Sequence, residues 1–210
     1  MIKLDKDRLE KDELENYIIL LRKQRHDFMN DLQVIYGYLQ MKRPEGALEY
    51  IDKLSKENGV ISEIYKLQDD GFSLCLENNI KKLWANEIKV ELDIEISNFK
   101  NKIFENKYSK KNNIVNTIFK RIIDTIFIEI ENINQNFVFI YIFEDELGES
   151  LLITNNQAMY DEISWMDEWE KVDIDIEIDD LRIYKCSFDN DVAYRLIFGT
   201  SDDVDILGNA

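Results

Sequence analysis

The sequence predicts an α+β protein in two parts: a helical hairpin over residues 1–71 and an α+β domain over residues 72–210. Two patterns carry that prediction. Up to Gly71 the apolar residues recur at intervals of three and four, the period of a helix with one buried stripe. Beyond it several segments alternate apolar and polar residues, the period of a half-buried strand. The composition makes the chain a folded one: 45 % of its residues are apolar and 11 % aromatic, with one proline and seven glycines. That is too hydrophobic and too periodic for disorder.

The first helix follows from Leu14, Ile18, Leu21, Phe28, Leu32, Ile35 and Leu39, a narrow seam interrupted only by Arg25. It ends near Met41, because Pro44 disfavours helical geometry at Arg43 while itself suiting the first turn of a new helix. The second arm carries Ala47, Leu48, Ile51, Leu54, Ile61, Ile64 and Leu67 on a similar stripe, softened at Asn58-Gly59 and ended by "QDDG" near Gly71. So short a turn makes the two helices pack antiparallel, yet a lone pair leaves part of each seam wet. A first helix of about 35 residues runs roughly 50 Å, longer than a small domain needs for itself. A twofold partner completing a four-helix bundle is the economical remedy, so a homodimer is expected.

After Gly71 the segment "FSLCLENNIKKLWANEI" predicts a helix, and "KVELDIEISNF" a strand with Val90, Leu92, Ile94 and Ile96 on its apolar side. A further helix is predicted over about Lys110 to Ile130. "FVFIYIF" and "SLLIT" flank "EDELGE" as a hairpin, and "VDIDIEI", "RIYKCSF" and "AYRLIFG" supply more strands of an antiparallel-leaning layer.

Charge narrows the partners. Forty-three acidic residues against 26 basic ones give −17, which repels nucleic-acid phosphates and anionic lipid alike. Cys75 and Cys186 are isolated and share no metal-type spacing, as in a reduced compartment. The start alternates charges without the apolar run of a signal peptide, and no stretch approaches the ~20 apolar residues of a membrane span. A soluble, cytoplasmic protein is expected, with no nucleic-acid or membrane partner.

Against this background "LRKQRHDFMN", residues 21–30, holds the only histidine of the chain. On a helix Arg22, His26 and Asn30 share a face, with Met29 and Gln33 beside them. His26 lies one position, about 100°, past the seam slot of Arg25, on the flank of the bundle. Imidazole, with an ordinary pKa of about 6.5, is mostly neutral at cytosolic pH and is a nitrogen nucleophile towards an acyl phosphate. Zinc chemistry needs more nitrogen and sulfur ligands than one imidazole and two remote thiols, and a serine hydrolase brings a G-x-S-x-G elbow that is missing here. Arg22, Lys23 and Arg25 reverse the overall charge within one turn of His26, in reach of a phosphate or an acidic partner surface. Spacing and composition alone leave open the alternative of a surface histidine in an ordinary mixed-charge helix.

The stretch "RHDFMNDLQVIYGYLQMKRPEGALEYI" resembles the helical hairpin of the sporulation initiation phosphotransferase B family, marked by Arg-His-Asp with Asn four residues after the histidine. The resemblance covers roughly residues 15–68. It implies that His26 receives a phosphoryl group from the aspartate of one response-regulator receiver domain and passes it to another, in two-component phosphorelay signalling. It also implies a dimeric four-helix bundle followed by a degenerate histidine-kinase-ATPase-like α/β sandwich. Arg25, Asp27 and Asn30 fall on the motif: Asn30 is assigned to orienting imidazole or phosphoryl oxygens, Arg25 and Asp27 to local electrostatics or helix packing. Arg22, Lys23, Met29 and Gln33 are assigned to the partner surface. The same hairpin occurs in sensor histidine kinases, but kinases use glycine-rich boxes to bring backbone close to nucleotide, and the nearest glycines here, such as Gly37 and Gly46, stand nine positions apart. "FKRIIDTIFIEI" places Arg121 and Thr125 where a kinase shows its metal-holding asparagines. The expectation is a phosphotransferase without autokinase activity and without a cofactor of its own, Mg²⁺ coming with the receiver. The rivals are a non-catalytic module that sequesters a response regulator, and a divergent kinase.

Other features have plainer readings. Asp173, Asp175, Glu177, Asp179 and Asp180 alternate with apolar residues as a solvated strand face does. "EDELGE" lacks calcium-loop spacing and predicts a turn. Trp165 and Trp169 are read as packing onto the sheet, and Phe28 as part of the seam.

Overall fold

The computed structural model describes residues 2–96, 110–133, 136–158, 169–172 and 181–199. The chain divides into two compact units, residues 1–59 and 60–210.

The first unit holds the first arm of the helical hairpin and most of the second. Helix α1 spans Ile2–Gln40 and α2 spans Pro44–Tyr65, continuous through Asn58-Gly59. The turn between them closes in a Schellman arrangement: the Arg43 amide donates to the Tyr38 carbonyl and the Lys42 amide to that of Leu39, each at 3.0 Å. Lys42 takes the left-handed conformation there, φ 56°, without the glycine that usually fills it. Gly46 is fixed by packing, since a Cβ on it would stand 2.8 Å from the Tyr38 ring. About two helical turns from the connection the Tyr50 hydroxyl donates to Asp31 Oδ1 at 2.8 Å. That bond, with burial, pushes Tyr50 up to about 12, so the bridge keeps its proton across the neutral range. Leu21, Phe28, Leu32 and Leu39 of α1 and Leu48 and Ile51 of α2 remain exposed within one chain.

The second unit holds a mixed six-stranded sheet, order β1-β2-β3-β6-β5-β4, with helices α3 (Asp70–Ala85) and α4 (Lys110–Asn132). The strands are β1 Lys89–Ile94, β2 Phe137–Asp145, β3 Gly148–Thr154, β4 Glu170–Lys171, β5 Leu181–Phe188 and β6 Asp191–Phe198. One sequence expectation needs correction here. "QDDG" starts a helix instead of ending one: α2 stops at Tyr65, and Asp69 caps α3 by accepting from the Phe72 amide at 2.9 Å. The sheet leans antiparallel, as the strand patterns indicated: β1 runs parallel to β2, and the other pairings are antiparallel. The "EDELGE" hairpin forms as read, with Asp145 Oδ1 accepting from the Leu147 amide at 3.0 Å. The segments holding Trp165 and Asp173 to Asp180 lie outside the described residues.

The main core lies on one face of this sheet, where Leu76 and Ile80 of α3 and Ile123 and Ile130 of α4 meet Ile140, Ile153 and Leu196. Phe143, Leu152, Trp169, Cys186 and Ala193 form a second, smaller cluster. "FVFIYIF" explains the two clusters: its aliphatic and aromatic positions alternate, so both faces of β2 are apolar and both gain by being covered. Burial pushes the Cys75 thiol up to about 12, with Asp124 nearby, which leaves it an inert core residue.

Arg195, 1 % exposed, stands among these strands: Nη2 donates to Asp145 Oδ2 at 2.6 Å and to Ser150 Oγ at 2.9 Å, and Cζ lies 4.9 Å from the centre of the Phe143 ring. We expect Arg195→Ala to lower stability in urea unfolding by about 3 kcal/mol, because it removes the packed stem and breaks a buried pair. Arg195→Met should lose much less, since the stem is kept and Asp145, itself partly exposed, regains water. Equal losses would show that charge, and not packing, dominates.

Candidate phosphoacceptor site

The site lies on α1. Residues 21–30 contain no proline or glycine and run as uninterrupted helix, so the 3.6-residue period fixes where each side chain emerges. Tyr38 packs on Gly46 and Asp31 bonds Tyr50, which marks the side of α1 that faces α2. His26 projects elsewhere, and its side chain is 73 % exposed.

Three of the residues singled out from sequence meet at one atom. Nδ1 of His26 lies 3.3 Å from Asp27 Oδ1 and 3.1 Å from Asn30 Nδ2. A ring nitrogen of neutral imidazole either donates or accepts, so the two contacts select different tautomers. A proton on Nδ1 held by the Asp27 carboxylate leaves the lone pair on Nε2, free to act as a nucleophile. Donation from the Asn30 amide instead occupies the Nδ1 lone pair and puts the proton on Nε2. Asp27 thus favours the reactive tautomer, while Asn30 either competes or, with its carboxamide turned, adds a second acceptor for the same proton.

Arg22, Lys23, Arg25, Met29 and Gln33 are all exposed on the same stretch of helix. Arg22 stands one turn before His26 and Met29 and Gln33 one and two turns after it, whereas Lys23 and Arg25 project to other sides. The Asp31–Tyr50 bridge, which ties the segment after His26 to the second arm, has no signature in the sequence: a carboxylate and a phenol nineteen residues apart meet only once the hairpin has closed.

A second cluster of titratable groups sits in the other unit. Glu129 accepts from Lys185 Nζ at 2.6 Å and from the Tyr194 hydroxyl. Burial alone would raise the Glu129 carboxyl, but these donors hold it below its ordinary value. The Glu129 partner raises Lys185 in turn. The trio pins β5 and β6 to α4. On α4 itself Arg121 and Thr125 are exposed, and the Thr125 hydroxyl donates back to the Arg121 carbonyl at 2.8 Å. Asp124 accepts from Asn79 Nδ2 at 2.8 Å, tying α4 to α3. Among the described residues no group of His, Cys, Asp and Glu is arranged to hold a metal ion, and no helix is long and apolar enough to cross a membrane.

Comparison with known proteins adds the following. Residues 6–67 match the family model of the sensor kinase SpoOB-type alpha-helical domain. No curated protein sequence matches the chain. Among solved structures, the histidine kinase ThkA, crystallised in complex with the response regulator protein TrrA, is similar with 12 % identity and a TM-score of 0.38, over 96 % of this chain and 67 % of that one. The motif around His26 falls inside the matched residues, on the helical hairpin the match describes. Over residues 6–67, then, the chain is similar to the sensor kinase SpoOB-type alpha-helical domain.

Proposed function

We propose that this protein is a phosphorelay phosphotransferase, which takes a phosphoryl group from the aspartyl phosphate of one response-regulator receiver domain onto His26 and hands it to the aspartate of another. The observation that carries this reading is the exposed His26 ring with its Nδ1 shared between Asp27 and Asn30. In the forward step the acyl O–P bond breaks as a bond forms from Nε2 to phosphorus. The receiver's carboxylate is regenerated, and the Nδ1 proton stays on the ring against Asp27. The second step is the same exchange in reverse with a different carboxylate. Transfer through a loose transition state depends mainly on alignment and charge stabilisation. The receiver brings its own magnesium and lysine, so this chain supplies the nucleophile, its orientation and the cations of Arg22, Lys23 and Arg25.

The acting form is a homodimer. The exposed stripe of Leu21, Phe28, Leu32 and Leu39, continued by Leu48 and Ile51 of α2, is the support for a four-helix bundle made by two hairpins. We place the protein in the cytoplasm, where receivers reside. The second unit is read as an ATPase-derived layer retained for docking or for the dimer: its glycines are too sparse for a nucleotide lid, and Arg121 and Thr125 offer no pair of asparagines to a metal.

The experiment is to incubate the full chain, in separate reactions, with radiolabelled ATP and with phosphorylated receiver domains. Acid-labile label arriving from a receiver and leaving to a second receiver supports the relay. Tight binding without label replaces it with sequestration, and label from ATP alone replaces it with a kinase.

A further inference from the structure

We propose that Gly37 is a docking position for the receiver: a place on the phosphoacceptor face where the helix is left bare so that the incoming domain packs closely beside His26. This rests on the reading of His26 as the phosphoacceptor. Gly37 lies inside α1, where glycine is among the poorest helix formers. Other glycines have internal reasons. Gly46 makes room for the Tyr38 ring, and Gly148 turns at φ 118° with the Phe198 carbonyl oxygen 2.7 Å from where a Cβ would stand. At Gly37 a Cβ would meet nothing within 4 Å, so nothing within the chain requires its absence. Gly59 is equally open, but it belongs to α2, at the division between the two units.

Position supplies the occupant. Eleven residues are three helical turns and a further 20° or so, which sets Gly37 in line with His26, about 16 Å along the axis, with Gln33 between them. This line diverges by about 100° from Tyr38, which faces α2, and by about 140° from Leu32 in the exposed apolar stripe. Neither the second arm nor another copy seated on that stripe accounts for the bare backbone. The remaining body is the one that has to reach His26 to exchange a phosphoryl group. A standard interface covers about 800 Å² on each partner, ample to span three turns of one helix. Ile19, 62 % exposed and seven residues before His26, gives the same line an apolar contact at its other end.

The test compares wild type, Gly37→Ala and Gly37→Leu in the full chain with two donors: receiver domains of the same genome phosphorylated by acetyl phosphate, and phosphoramidate, which needs no docking. Phosphoramidate labels by breaking its own P–N bond as the His26 N–P bond forms, ammonia carrying off the proton. We expect Gly37→Leu to slow labelling from the receiver at least about 10-fold, as misplacement of the reacting groups does. Labelling by phosphoramidate should stay within about twofold and the mass in solution should not change. Gly37→Ala should fall between and melt higher. Unchanged receiver rates in Gly37→Leu would overturn the proposal, a changed mass would reassign the position to contact between copies, and lost phosphoramidate labelling would make it a support of the ring itself. A wild type that no receiver labels refutes the phosphoacceptor reading before any variant is compared.

Discussion

His26→Ala is expected to take up no acid-labile phosphoryl group from a phosphorylated receiver, while its melting temperature and far-ultraviolet circular dichroism stay those of the wild type. Both halves follow from one geometric fact. The ring projects into solvent, so removing it leaves no cavity and strands no buried polar partner, and surface substitutions of that kind fall within about 0.5 kcal/mol. No second imidazole exists to take over the chemistry. Asp27→Ala should retain transfer but lose about 10-fold, because the Nδ1 proton then has no carboxylate to hold it and the tautomer with Nε2 free is less populated. Equal rates in Asp27→Ala and wild type would mean that Asn30 alone orients the ring.

Leu32→Glu should convert the protein from a dimer to monomers in light scattering at micromolar concentration. Leu32 is 43 % exposed in a single chain and lies at the middle of the apolar stripe. In a twofold bundle the substitution enters twice, burying two like charges without partners, which should weaken association by at least about 100-fold, or ~2.7 kcal/mol. Gln33→Glu, one residue on but turned towards the His26 face, should leave the mass unchanged. A Leu32→Glu protein that remains dimeric would show that the stripe is not the contact between copies.

The amphipathic helices were legible because their cause is local. The seam of Leu21 to Leu39 sets one side of α1, and the placement of His26 off that seam follows from the helical period alone. "QDDG" shows where local reading fails: two aspartates before glycine serve equally as a stop signal and as a helix cap. Here Gln68, at φ 58°, turns the chain so that Asp69 faces forward onto the Phe72 amide. The parallel pairing of β1 with β2 had no signal either, because alternation in "KVELDI" records which side of a strand is wet and not which strand lies next to it. At the site, residue types and face were visible in the sequence. The rivalry of Asp27 and Asn30 for one nitrogen was not, since it depends on a ring rotation that spacing does not encode.

The central claim is that the phosphoryl group rests on a nitrogen of His26. Its most direct test is to phosphorylate the wild-type protein with a receiver, locate the modification by mass spectrometry under alkaline conditions, and record its ³¹P spectrum. A single phosphoramidate signal on the peptide containing His26 is the predicted result. A phosphoester or acyl phosphate signal, or a modification on any other peptide, would contradict it.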